Sequence, residues 1–218
     1  PPLRLPRVAH AGHVEQPAYL RIPGFLTPEE NRAVVEFAAG MEPAFQVSRV
    51  DGDEKDYRLS RVLFDFAGLG VDFAGRVREI LPDVAAHFGM GLSEGYRFEM
   101  QMTTHGDGGY FKIHADNASP STAARYLTYV YYFHREPRAY SGGLLRLHER
   151  VSVGGGGWLP LARCAEIPPE NNQIIFFPSG QMHEVMPTHC RSGAFADGRF
   201  TINGWISPPA AGAPGRSG

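Results

Sequence analysis

Tyr110-Phe111-Lys112-Ile113-His114-Ala115-Asp116 is the stretch on which the fold turns. Residues 110–114 have the aromatic and β-branched content of a short strand, and Gly108-Gly109 ahead of them is a turn signal. Working outward, segments 96–103, 126–134, 144–148, 158–165, 173–177, 184–186 and 199–206 read the same way, separated by Gly, Pro, Asn and Ser. The N-terminal third is different. After a short strand at 18–22, Thr27-Pro28-Glu29-Glu30 forms a capping box with Pro at the first helical position, predicting a helix that runs to Ala39 and stops at Gly40. Apolar residues from Val71 to Phe88 recur at helical spacing, predicting a second helix over 71–89 with Pro82 placed to kink it. The pattern is mainly β with flanking helices: a double-stranded β-helix, or jelly roll, buttressed by the N-terminal helices.

With 218 residues, 43% of them hydrophobic and 20% charged, the chain has the composition of a folded domain. No repeat or linker divides it. The expected organisation is a flexible N-terminal segment 1–16, a single domain 17–207 and a flexible Pro/Gly/Ala/Ser tail 208–218. A net charge of −2 without a Lys/Arg run excludes nucleic acid as a partner held by phosphate contacts. No apolar stretch approaches the roughly 18 residues of a membrane span, and the N-terminus lacks a hydrophobic signal core, so the expectation is a cytoplasmic protein without a membrane partner. Two cysteines, Cys164 and Cys190, are too few for a disulfide framework and read as free thiols. The charged segment 49–56 reads as a solvated hairpin tip, with a substrate-gating loop as the alternative, and 117–122 as a loop beside the His-x-Asp motif.

Chance predicts about 0.4 His-x-Asp triplets in this composition, and two occur. His105-Gly106-Asp107 runs into a glycine turn, where the side chains need not share a direction. His114-Ala115-Asp116 closes a strand, and residues i and i+2 of a strand project from one face. Imidazole and carboxylate side by side supply two of the three ligands of the 2-His-1-carboxylate triad that holds Fe(II). The third must be a distant His, drawn from His134, His148, His183 and His189; His183 follows a buried apolar strand and a turn that would carry its ring to the mouth of a barrel. Further on, Arg199-Phe200-Thr201-Ile202-Asn203-Gly204-Trp205 alternates so that Arg199, Thr201, Asn203 and Trp205 share a face. An inward Arg must meet an anion, and its planar donors suit a carboxylate.

Taken in order, residues 108–116, 127–132, 141–147, 177–185 and 199–205 resemble the Fe(II)- and 2-oxoglutarate-dependent dioxygenases, in particular their prolyl-hydroxylase-like branch. The resemblance spans roughly residues 93–207. It implies His114, Asp116 and His183 as metal ligands, and Arg199 as the catalytic-site cation holding the distal carboxylate of 2-oxoglutarate, aided by Tyr132 and Thr201. It also implies Fe(II), 2-oxoglutarate and O2 as cofactor and cosubstrates, with ascorbate as an optional reductant. The implied activity is hydroxylation of an unactivated C–H on a prolyl or other peptidyl residue or an amino acid; a small-molecule natural-product intermediate is the alternative substrate. His105, Tyr110 and Arg146 are the expected substrate contacts. The sequence departs from the resembling prolyl hydroxylases at His105, where a Tyr often stands. Asp116 argues against a halogenase, Trp205 in place of a second Arg against a nucleic-acid demethylase, and the lack of His-x-His against a cupin. The rival from another class is a non-enzymatic jelly-roll binding module, whose His-x-Asp would be a structural ion site.

Overall fold

The computed structural model describes residues 13–48, 56–153 and 157–209. The N-terminal part holds β1 (Val14–Glu15), β2 (Leu20–Pro23), α1 (Pro28–Gly40), β3 (Gln46–Val47), β4 (Arg58–Leu59), β5 (Arg61–Leu63) and α2 (Phe73–His87). Then come β6 (Arg97–His105), β7 (Tyr110–His114), β8 (Leu127–Phe133), β9 (Ser141–Gly142) and β10 (Leu145–Val153). The chain continues through β11 (Gly157–Ile167), β12 (Gln173–Pro178), β13 (His183–Val185), β14 (Thr188–His189) and β15 (Arg199–Ser207). The result is mostly β with two α-helices. A seven-stranded sheet has the order β2-β12-β8-β15-β6-β5-β3, and a six-stranded sheet has the order β1-β10-β13-β7-β4 with β11 also on β10.

Strand alternation divides the core in two. Leu127, Tyr129, Tyr131 and Phe133 of β8, with Phe200, Ile202 and Ile206 of β15, bury against Val34 and Ala38 of α1 and Val77, Leu81 and Val84 of α2. The opposite face carries Val130 and Tyr132, which pack with Leu145, Leu147, Ile175 and Phe177 in a second cluster. With apolar layers on both faces, β8 is buried at every residue, as a central strand must be.

The helix starts follow the local code. Thr27 Oγ1 accepts from Glu30 N at 3.2 Å while Glu30 Oε2 accepts from Thr27 N at 3.0 Å. The second helix begins at Phe73 rather than residue 71 because Asp72 caps it, accepting from Gly75 N at 2.9 Å; Pro82 lies inside it. Val14 and Glu15, expected in a flexible lead, pair with Val151 and Arg150, and Glu15 bridges Arg150 at 2.9 Å. Residues 1–12 of the expected lead, residues 49–55 of the charged segment and the tail from 210 lie outside the described residues. Both cysteines are free thiols. No helix among the described residues is long and apolar enough to cross a membrane.

Candidate metal and cosubstrate site

β7 and β13 pair antiparallel with His114 directly opposite His183. Opposed residues of such a pair share a face, so the two rings meet with centroids 4.1 Å apart. Asp116 lies two residues past His114, held by its backbone N donating to Ser179 O at 2.9 Å. Its Oδ1 is 3.7 Å from His114 Nε2 and its Oδ2 is 3.6 Å from His183 Nε2. One ligand atom from each residue fits within 4.8 Å of the others.

The surroundings fix which nitrogen of each ring faces the carboxylate. His114 Nδ1 lies 2.8 Å from Lys112 O and His183 Nδ1 2.8 Å from Gln181 O. A carbonyl only accepts, so each Nδ1 carries a hydrogen and each Nε2 is the atom that faces Asp116. Phe111 stacks on His114 with centroids 3.6 Å apart, and Phe177 meets His183 edge-on at 4.9 Å. Burial, and then the neighbouring His183 ring, push His114 down to about 3, so it is neutral at pH 7. Burial works against the Asp116 carboxylate, yet the two imidazoles and the Thr128 hydroxyl outweigh it and hold the group below its ordinary value. Thr128 Oγ1 donates to Asp116 Oδ2 at 2.8 Å and in turn sits 2.9 Å from Ser179 Oγ. Two imidazole Nε2 atoms and a carboxylate converge on one point. That donor set fits an Fe(II)-type divalent ion and leaves the other coordination positions open.

At the other end of the same cavity, about 450 Å³ in volume, stands Arg199, which is 1% exposed. Its Nε donates to Gly143 O at 2.8 Å, and one terminal nitrogen donates to His105 Nδ1 at 3.3 Å. Gly143 is required here: its φ is +68°, and a Cβ would stand 2.5 Å from Arg199 Cδ. Arg199 has no acidic partner among the described residues. Its neighbours are donors as well. His105 accepts from Arg199 through Nδ1, so its Nε2 carries the hydrogen, and burial, with the charges of Arg199 and Arg58, keeps the ring neutral by lowering it well below its usual range. Tyr132, pushed up to about 12 by burial, keeps its proton. Both His105 Nε2 and Tyr132 Oη are buried without a partner among the described residues. A buried cation flanked by unused donors fits an anion such as the distal carboxylate of 2-oxoglutarate.

Thr201 lines this cavity too, as do Asn203 and Trp205, the alternate residues of β15. His105, expected on the substrate side, lies against Arg199. Tyr110 donates to Asp56 O at 2.9 Å, beside the cavity rather than among its lining residues. Arg146 is a correction: β10 turns it to the outer face, where it bridges Glu166 at 2.7 Å and Glu184 at 3.6 Å. It does not line the cavity. Sequence reasoning missed Thr128, Gln101 and Arg58. Gln101 sits at a polar position of the alternating stretch 98–103, a usable signal; Thr128 stands out only as the polar residue of an otherwise apolar and aromatic strand, and Arg58 reaches the cavity only because β4 pairs with β7.

Residues 100–207 match the family model described as 2OG-Fe(II) oxygenase superfamily. An uncharacterised PKHD-type hydroxylase from Synechocystis sp. is 39% identical over 190 residues, covering 86% of this chain and 62% of that protein. The chain thus spans about three fifths of the length of this curated relative. Among solved structures, a Pseudomonas putida prolyl-4-hydroxylase superposes with a TM-score of 0.59 at 18% identity, covering 88% of this chain and 93% of that one. A Trichoplax adhaerens prolyl hydroxylase, solved with a peptide fragment of the hypoxia inducible factor oxygen degradation domain, gives 0.58 at 17% identity, covering 87% and 83%.

Proposed function

Because this chain carries a domain of the 2OG-Fe(II) oxygenase superfamily, we propose that it is a 2-oxoglutarate-dependent hydroxylase acting on a peptidyl residue, such as prolyl, or on an amino acid. We read its two sheets as the jelly roll of that superfamily, with both helices buttressing the seven-stranded sheet. His114, Asp116 and His183 hold the iron, and Arg199 anchors the distal carboxylate of 2-oxoglutarate with Tyr132, Thr201 and His105 beside it. Iron, 2-oxoglutarate and O2 together supply the oxidising power that replaces an unactivated C–H by C–OH.

The protein's own part is geometric. The backbone carbonyls of Lys112 and Gln181 fix the tautomer and direction of the two rings, and Thr128 fixes the carboxylate rotamer. Arg199 sets the length and direction of any dicarboxylate reaching back toward the triad, and the aromatic rings of Phe111 and Tyr132 line the cavity between them. One observation carries the reading: an N,N,O cluster and a buried guanidinium with no acidic partner among the described residues face a single cavity. The test is spectroscopic. Anaerobic protein mixed with Fe(II) and 2-oxoglutarate should give a weak visible charge-transfer band that Asp116→Ala abolishes. No band, or one that survives the substitution, would overturn the proposal.

A further inference from the structure

Arg58 is the cation of this cavity that nothing in the proposed chemistry uses. It enters from β4, whose register sets Arg58 opposite Phe111, and its guanidinium lies over the Phe111 ring at 4.7 Å. Phe111 in turn stacks on the metal-site His114. Arg58 is thus held one aromatic ring away from the triad, lining the cavity that the triad and Arg199 share.

Its hydrogen bonds leave most of the guanidinium unspent. Nε donates to Ser60 Oγ at 2.6 Å, and one terminal nitrogen reaches Thr103 Oγ1 at 3.5 Å. Thr103 Oγ1 already accepts from Asn203 at 2.8 Å and Gln101 at 3.2 Å, and a hydroxyl has two acceptor sites, so the long contact is the weakest of three. No carboxylate among the described residues pairs with Arg58. Burial lowers it to about 10, partly offset by the charge of Asp116. A part-buried guanidinium with spare donors and no anion beside it is suited to take a carboxylate.

Charge accounting says which anion. A ferrous ion and the Asp116 carboxylate leave one positive charge; with Arg199, it matches the two carboxylates of 2-oxoglutarate. Arg125, the other cation lining the cavity, is bound to Glu99 at 2.6 Å. Among the described cations that line the cavity, Arg58 alone remains unmatched. We propose that Arg58 is a specificity-determining residue that binds a carboxylate of the substrate, so that this site acts on molecules presenting one negative charge beside the C–H to be oxidised. This rests on the hydroxylase reading above and names its substrate class. The carboxylate could belong to a free amino acid, a peptide C-terminus or an acidic side chain, and all three present the same chemistry to the guanidinium.

The experiment is a calorimetric binding screen on protein loaded with Ni(II) and 2-oxoglutarate. The probes are matched acid and amide pairs: free amino acids and their amides, short peptides with free or amidated C-termini, and peptides carrying Asp or Glu against Asn or Gln. At least one acid should bind about ten- to a hundredfold tighter than its amide, and the pair types that discriminate identify the source of the carboxylate. Arg58→Gln should erase that preference, and Arg58→Lys should restore part of it. Pairs that bind equally, a preference that survives Arg58→Gln, or a panel in which no acid binds would overturn the assignment. If Arg58→Gln does not fold, the wild-type acid-to-amide ratio and Arg58→Lys still decide. Binding of 2-oxoglutarate to the Ni(II) protein, measured first, tests the parent reading separately: its failure would remove the cosubstrate assignment, whereas its success with equal pairs would remove only the role of Arg58.

Discussion

Thr128 shows how much a single side chain does here. Its hydroxyl donates to the Asp116 carboxylate at 2.8 Å, and groups that orient a metal ligand are each worth about 10- to 100-fold in metal affinity. Thr128→Val conserves shape and removes that donor, so Ni(II) affinity measured by titration should fall by about that factor while the fold persists. Gly143 acts at the opposite end. Gly143→Ala would place a methyl against Arg199 Cδ and force a left-handed backbone on alanine. Affinity for 2-oxoglutarate should drop by about tenfold or more, a change of roughly 1.4 kcal/mol, with metal binding retained. Loss of metal affinity alongside it would place Arg199 in the metal site rather than beside it.

Among the elements, the two helices give the fold a pH-dependent stability. Glu30 closes the α1 capping box and also bridges Arg76 of α2 at 2.8 Å. The Arg76 hydrogen bond and then the Thr27 backbone lower its carboxyl from the ordinary 4.5. A carboxyl depressed by folding contributes stability that is complete above its ordinary value and is lost as the pH falls through the depressed one. Urea midpoints should therefore decline on acidification below about 4.5 in the wild type, and Glu30→Gln should flatten that limb. Thr27→Ala should cost about 1 kcal/mol by removing the cap. On the buried face of α2, Leu81 is fully buried against the seven-stranded sheet, and Leu81→Ala should cost about 2 to 5 kcal/mol in chemical denaturation.

Across the whole molecule, the metal site joins strands that are distant in sequence, so metal and fold stability should be linked. A ligand bound only by the folded state at 100 times its Kd adds about 2.7 kcal/mol; Ni(II) should raise the Tm of the wild type, and His183→Ala should remove that gain. How much of this was legible in the chain follows from the range of each interaction. The capping box, the helices and the strand ending in His114-Ala115-Asp116 depend on neighbours a few residues apart, and so could be read directly. Alternation along 199–205 likewise announced that Arg199, Thr201, Asn203 and Trp205 would share a face, because a strand's period is local. Strand register is another matter: it depends on partners far apart in sequence, and a shift of one residue turns a side chain to the other face. That is why the pairing of His183 with His114, the outward turn of Arg146 and the entry of Arg58 from an edge strand had to come from the assembled sheets. Residue by residue, the sequence determined which groups could bind iron and carboxylates; tertiary pairing alone decided which of them face one cavity, since burial and opposed charge act through space rather than along the backbone.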